Sequence, residues 1–433
     1  MLQSHGVFRR FQRPARDLSL IHISKVGTAL FVLCWTAYFL TYFGRLNYNA
    51  LMAQIIAEGI LSKTQAGMLG TVFFMTYAIG QLFSGWMGDR VSPRLFILTG
   101  LEASGVCNLI MCSVSRYPVM VVVWSINGFV QSFVWPPLLR IFCEHYTDVV
   151  RIRACVAINT TVPAGTLVTY GFAAWMAARG TWKFSFMAAG IVLCLFSVLW
   201  YLGTARIERW TEENGQDISF QKEENPAASP IGWKQFIAFG MLFLCVALAI
   251  QGMLKDSVTS WALVYLGEAH GLSTAMAILS TTVIPLLNLF GMYLASWMMK
   301  KRPSEFMNAI VLYLACGIAL CFLLFGNLLG AAPALIILAA ATTAMIGVNT
   351  LLISVFPGRF SATGQVATIS GVLNFSVYVG SALSNYGIGA VVDRFGWNAA
   401  ILLWIVSAAL AAYLCAASQR CWRWHKLERM ESC

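Results

Sequence analysis

The chain has 433 residues, 59% of them hydrophobic and 11% charged, where a soluble domain carries about 25% charged residues. That depletion, with a mean hydropathy of +0.71, excludes a water-soluble fold, and the continuity of the apolar blocks excludes a β-barrel, whose strands alternate. In a soluble protein the net charge of +11 would point to nucleic acid; here the positive residues fall in short connecting loops and act as topology signals, so no nucleic-acid partner is expected.

Residues 1–24 carry a basic run (Arg9, Arg10, Arg13, Arg16) without a small-residue cleavage site, so 1–26 reads as an N-terminal tail and not as a cleaved leader. Twelve apolar blocks follow, near 27–50, 64–87, 95–114, 117–142, 152–178, 184–205, 233–266, 272–299, 304–327, 331–356, 364–391 and 397–418. Each is long enough to cross a bilayer as a helix. The expected fold is an all-α membrane protein of twelve transmembrane helices, with one six-helix bundle at 27–205, a second at 233–418 and a C-terminal tail at 419–433. Between the bundles, 206–232 is polar, holds six acids with Pro226 and Pro230, and reads as a mobile link. Of the 29 Lys and Arg, 21 fall on the side of the termini and the link, five on the other side and three within spans. That bias places both termini in the cytoplasm.

What is missing narrows the function. The 12 cysteines are scattered without a CxxC pair and read as small buried apolar residues. No Gly-x-x-x-x-Gly-Lys-Ser/Thr phosphate loop occurs, so ATP does not drive the protein directly. The five histidines lie in tails or near span ends, which disfavours an intramembrane histidine proton relay. The expectation is a monomeric non-enzyme without metal or other cofactor, whose partners are the bilayer and a small solute.

In span 1, Tyr38, Tyr42, Arg45 and Asn49 follow at spacings of four, three and four, which puts them on one helix face. A charge inside the bilayer costs about 2.5–3.5 kcal/mol on insertion scales. Arg45 therefore either snorkels to the outer surface or faces a wet cavity, where its guanidinium holds an oxyanion by two parallel hydrogen bonds. Tyr77 and Gln81 are polar candidates in span 2. The loop after it, Gly85-Trp86-Met87-Gly88-Asp89-Arg90 with Pro93 and Arg94, reads as a gate latch in which Asp89 takes the N-terminal amides of the next helix or pairs with a basic residue. Glu102 in span 3 is a carboxylate well inside the first half, either a proton-coupling group or a buried neutral acid. Span 4 offers Asn127, Gln131 and Trp135; span 5 offers Asn159 and Thr160 before Pro163, with Thr166 and Tyr170 beyond it.

In span 7, Gln251, Lys255 and Thr259 share a face, and Asp256 points about 100° away. Lys255 is either half of a structural Lys–Asp pair or a second cation for a central ligand. Span 8 offers Asn288 and span 10 offers Asn349. Span 11 carries a hydrophilic stripe of Ser370, Asn374, Tyr378, Ser381 and Asn385. Polar groups of this kind serve equally as interhelical glue, at about 0.6 kcal/mol each. The halves also repeat: Gly85-Trp86-Met87 returns as Ser296-Trp297-Met298, 211 residues on, and Arg45 and Lys255 stand 210 apart. Such a repeat supports two bundles with a substrate site between them at the midplane. Lys300-Lys301-Arg302 replaces the latch acid in the second half.

The stretch Tyr42-Phe43-Gly44-Arg45-Leu46-Asn47-Tyr48, the loop Gly88-Asp89-Arg90-Val91-Ser92-Pro93-Arg94, and Val134-Trp135-Pro136-Pro137 with Arg140 resemble the organophosphate:phosphate antiporters of the major facilitator superfamily. The likeness runs from about residue 27 to 418. It implies the major facilitator fold in a bacterial inner membrane, two pseudo-symmetric six-helix bundles rocking about a central site. It places Arg45 on the family's span-1 phosphate-binding arginine and Tyr38 and Tyr42 on its aromatic neighbours. Lys255, six residues before Trp261, falls where the family has a second phosphate-binding arginine, so the charge is kept and the fork lost. Gln81 replaces a lysine, Thr160 replaces a histidine of the glycerol-3-phosphate carrier, and Pro285 sits near a glutamate of that carrier. The resulting expectation is a carrier of a small anionic metabolite, a phosphate ester exchanged for inorganic phosphate. Two alternatives stand beside it: proton-coupled symport of a carboxylate or sugar acid, with Glu102 or Asp256 protonated in the cycle, and a membrane sensor that binds a phosphorylated sugar.

Overall fold

The computed structural model describes residues 25–179, 182–213, 232–272, 283–325 and 330–431, whose regular structure is helical. Helix α1 spans Lys25–Ala57, α2 Lys63–Gly88 and α3 Pro93–Ser113. α4 runs Tyr117–Gln131 and resumes at Trp135–His145; α5 joins Asp148–Ala157 to Thr161–Ala177 through a 3₁₀ turn, Ile158–Thr160; α6 is Lys183–Glu213. After a short helix at Trp233–Ala238 come α7 (Met241–His270), α8 (Val283–Lys301), α9 (Glu305–Leu323) and α10, which runs Ala331–Asn349 and continues through a π-helical turn, Thr350–Val355, and a 3₁₀ turn, Phe356–Thr363. The last helical stretch, Val366–Glu431, is broken at Gly396 (φ 75°); the part before it is α11 and the part after it α12.

Ten of these segments are long and apolar enough to cross a membrane. The remaining two expected spans correspond to α5, split into pieces of 10 and 17 residues, and α8, which is described from Val283 onward. The interruptions have a common cause. Proline lacks the N–H that would reach back four residues, and its ring crowds that carbonyl. Pro136 and Pro137 follow the break in α4, Pro163 follows the 3₁₀ turn of α5, and Pro357 sits where the π turn of α10 gives way to 3₁₀. Gly240 (φ 73°) separates the short helix from α7, so the expected block 233–266 is two elements. α6 also runs to Glu213, into the expected link, and α12 runs through the expected tail.

Within the first bundle α3 packs on α6, α1 on α5 and α2 on α4; within the second, α7 packs on α11 and α9 on α10. Among the described residues the halves are joined chiefly where α2 crosses α11, and also where α4 meets the Val366–Glu431 stretch and the 3₁₀ turn of α10, and where α5 meets α8 and the π turn of α10. The α2–α11 crossing is backbone against backbone. A Cβ on Gly371 would lie 2.3 Å from the Gln81 carbonyl oxygen and 2.8 Å from Gly85 Cα, so only glycine fits. At the other end of α2 the space opens, and a Cβ on Gly67 or Gly70 would meet nothing within 4 Å. The repeat is visible in side chains too: Arg90 lies 4.4 Å over the Trp86 ring and Lys301 lies 4.3 Å over Trp297, at equivalent ends of α2 and α8.

Candidate anion-binding site

Arg45 sits midway along α1 and is 7% exposed. Its guanidinium lies 3.9 Å from the Tyr42 ring centroid and 5.5 Å from that of Tyr77. The Tyr77 hydroxyl engages both Arg45 and Tyr378 of α11, and the Tyr77 and Tyr378 rings meet edge-on at 4.9 Å. The guanidinium is thus held at the seam between the halves and not among lipid chains. Among the described residues no carboxylate lies within ion-pair distance of it. A buried charge without a partner destabilises by about 3–5 kcal/mol, and a desolvated cation–π contact returns about 2 kcal/mol. The tyrosine cage therefore leaves Arg45 short of an anion. Arg45 also lines a small open cavity with Asn49, Gly70, Phe73, Phe74 and Trp124.

Tyr38 and Tyr42 continue this face toward Trp135. Their hydroxyls are 3.5 Å apart, and the Tyr38 and Trp135 rings lie 4.8 Å apart. The Trp135 indole N–H is buried with no partner among the described residues, as is one amide hydrogen-bonding atom on each of Gln81, Gln131 and Gln251. Such orphans cost about 1–3 kcal/mol each, and buried groups of this kind ask for a ligand or water. Gln131 also donates to Ser104 (3.0 Å), which donates to Asn127 (2.7 Å), which in turn donates to the Gly44 carbonyl (3.1 Å). This network braces α1 one residue before Arg45. Thr160 accepts from Trp35 at 2.9 Å, fastening α5 to α1.

Lys255 stands differently from Arg45. Its Nζ lies 3.2 Å from Asp256 Oδ1, because the aspartate bends round the helix to reach it. Gln251 is fully buried and donates to the Met345 carbonyl at 3.0 Å, so it turns into α10, while Thr259 is exposed and donates to the Lys255 carbonyl at 2.7 Å. On α11, Asn374 donates to Gln81 at 3.3 Å across the halves, and Ser381 donates to the Val377 carbonyl of its own helix. The side chains of Asn385 and Pro285 lie outside the described residues.

Asp89, expected as a latch residue, bonds across the halves. Its two oxygens accept the backbone N–H groups of Ala367 (2.8 Å) and Thr368 (2.7 Å), so the partner is the start of α11 in the other half and not the helix that follows in sequence. Burial pushes the Asp89 carboxyl up to about 6 despite these bonds. Arg140 donates to the Gly88 and Val91 carbonyls beside it, and Asn159 donates to Ser354 at 3.1 Å, a further bond across the halves. Arg90 and Arg94 do not cross: Arg90 bonds its own Trp86 carbonyl, and Arg94 pairs with Glu208 at 3.0 Å within the first bundle. Its counterpart 211 positions on, Glu305, is bonded by Arg359 at 3.0 Å. The expectation for Glu102 is corrected. It lies on the exposed outer face of α3 and accepts a hydrogen bond from Ser197, away from the seam.

The Major Facilitator Superfamily profile (MFS_1) matches residues 34–385. A probable hexose phosphate transport protein of Chlamydia muridarum is 26% identical over 419 residues, 88% of each chain. The membrane sensor protein UhpC of Escherichia coli is 24% identical over 400 residues, 88% of this chain and 89% of that one. The glycerol-3-phosphate transporter of Bacillus subtilis is 26% identical over 432 residues, 92% of this chain and 95% of that one. The crystal structure of FucP, a Major Facilitator Superfamily transporter in the outward conformation, matches with a TM-score of 0.69 at 14% identity, over 90% of this chain and 98% of that one, a likeness of fold alone. With the profile covering most of both bundles and the helical architecture shared with a solved member, the chain belongs to the Major Facilitator Superfamily.

Proposed function

We propose that the protein is a secondary transporter of a small organic anion, a phosphate ester exchanged for inorganic phosphate by alternating access. The observation that carries this reading is Arg45, a buried guanidinium with no carboxylate partner among the described residues, caged by tyrosines where the halves meet. Its planar fork matches two phosphate oxygens. Tyr38, Tyr42 and the Trp135 N–H offer further donors from the first half, and Lys255 supplies the cation of the second. Three relatives are named for hexose phosphate or glycerol 3-phosphate, which supports an ester as the cargo. The loop-charge bias places the Asp89 end in the cytoplasm. On this reading the bonds of Asp89 shut the cytoplasmic side, and both termini are cytoplasmic.

Proteoliposomes loaded with phosphate should take up labelled hexose 6-phosphate or glycerol 3-phosphate, and Arg45→Ala should abolish uptake. Wild-type uptake by Arg45→Ala would refute the site. Uptake driven by a pH gradient with no internal phosphate would favour proton symport instead. The likeness to a protein named as a sensor favours one further reading, in which the ester binds at Arg45 without net flux; saturable binding with no uptake would establish it.

A further inference from the structure

Arg45 and Lys255 occupy equivalent places in the two halves, but their charges are not equally available. Lys255 is already held by Asp256 at 3.2 Å, whereas Arg45 has no carboxylate within ion-pair distance among the described residues and lies over tyrosine rings. The elements packed on α7 bring no other charge to this depth. α10 has no charged residue before Arg359, α11 has none before Asp393, α12 none before Arg420, and described α8 none before Lys300. The titratable group facing Asp256 from α11 is the Tyr378 hydroxyl, which also faces Arg45 of α1 and Tyr77 of α2. The uncompensated charge of the chamber is that of one guanidinium.

Low dielectric makes charge matching decisive, since a stranded unit charge costs several kcal/mol. A phosphate monoester is a monoanion below about pH 6 and a dianion above it. The monoanion neutralises Arg45. The dianion leaves one negative charge in excess, or draws Lys255 away and strands Asp256.

We propose that Asp256 sets the charge of the ligand: by holding Lys255 it makes the chamber a site for a monoanion, a singly protonated phosphate ester or a sulfonate or sulfate of similar shape. The inference rests on Arg45 as the anion-binding residue. A phosphate dianion in solution takes one proton on the side where it binds and returns it on the side where it leaves, so each ester carries its own proton and Asp256 stays ionised.

The test is binding of hexose 6-phosphate and of hexose 6-sulfate, a permanent monoanion, to the purified full-length protein in nanodiscs from pH 5 to 8. In the wild type, phosphate affinity should fall about 50-fold from pH 6 to pH 8, as the monoanion is titrated away with its pKa of about 6. Sulfate affinity should not follow that fall; because any effect of Asp89 titration acts on both ligands, the ratio of the two affinities is the readout. Asp256→Asn frees Lys255 and should remove the fall in that ratio. The charge-balanced pair Lys255→Gln with Asp256→Asn should restore it. A wild-type ratio that is flat with pH overturns the proposal, as does an Asp256→Asn protein that still binds the sulfate and keeps the wild-type ratio; either leaves the anion-carrier reading standing. Failure of the wild type to bind either ester at any pH, or normal binding by Arg45→Ala, overturns that reading and the proposal with it.

Discussion

Gly371→Ala tests whether the α2–α11 crossing sets the closed state. The added methyl would lie 2.3 Å from the Gln81 carbonyl oxygen and 2.8 Å from Gly85 Cα. Both are backbone atoms of α2, so no side chain can rotate aside, and relief requires the helices to part by about 1 Å. Overpacking of this kind costs about 1–3 kcal/mol. Parting the helices also weakens bonds that are already long, Thr368 to the Gly85 carbonyl at 3.3 Å and Asn374 to Gln81 at 3.3 Å. Because the methyl is tolerated once the halves separate, the penalty falls on the closed state alone and should shift the closed-to-open ratio about 5- to 150-fold. Spin labels on exposed Arg153 and Ala362, one on each half at the latched end, report the ratio as a distance distribution. Gly67→Ala is the control, the same change on the same helix where a Cβ meets nothing within 4 Å. If Gly371→Ala and Gly67→Ala both give the wild-type distribution, the glycine crossing does not govern closure.

Asp89 should make closure pH-dependent. Its carboxyl is pushed up to about 6 in the latched state and should return to about 3.9 when solvated. The latched state then binds the extra proton between these values, and its advantage is lost as pH rises through 6. Going from pH 7 to pH 5 should favour the latched state about tenfold; the same spin-label pair should show this in the wild type and no such shift in Asp89→Asn. Arg45→Lys keeps the charge and loses the fork, and the missing charge-assisted hydrogen bond of about 1.5–3 kcal/mol should weaken ligand binding about 10- to 150-fold, measured by calorimetry. Glu102→Gln should leave uptake and its pH profile unchanged, since Glu102 bonds Ser197 on the outer face of α3; a lost pH response would return it to the coupling machinery.

Ten of the twelve expected spans were legible as membrane-crossing helices because hydropathy and helix length are local properties. The bends were partly legible, since Pro136, Pro137, Pro163 and Pro357 mark them, but which local helix type replaces the α turn depends on packing. The face that joins Tyr38, Tyr42 and Arg45 followed from helical spacing alone. Three features did not. Tyr77 and Tyr378 complete the Arg45 cage from two other helices, and no spacing within α1 announces them. The choice of Asp89 for α11 over α3 depends on how the halves meet, 278 residues apart in sequence. The Lys255–Asp256 pair rests on side-chain torsions, which a 100° helical step argues against but does not forbid. Glu102 misled because depth along a span was read as depth within the bundle, and a helix buries only part of its circumference.

One pair of helices carries both the proposed ligand cage and the proposed latch. Along α2, Tyr77, Gln81, Gly85 and Asp89 recur every four residues; they meet Tyr378, Asn374, Gly371 and Ala367 along antiparallel α11. Tyr77 and Asp89 are about 18 Å apart along the helix, so the ladder couples cage to latch over half a bilayer through stiff backbone. Its rungs change character along the way, from aromatic edges at the cage, to an amide pair, to bare glycine, to a carboxylate on helix amides. The glycine rung sets the distance of closest approach, which is where a fulcrum would lie. An anion drawn to Arg45 must share space with Tyr77 and Tyr378, and a shift of those rings tilts α2 against α11 about the Gly85–Gly371 contact. A tilt that closes the cage side spreads the Asp89 side. The carboxylate then regains water as its two helix amides do, so opening the latch leaves neither partner unsatisfied. If Arg45 binds the anion and Asp89 latches the gate as proposed, this geometry makes ligand binding and gate release two ends of one rigid-body motion.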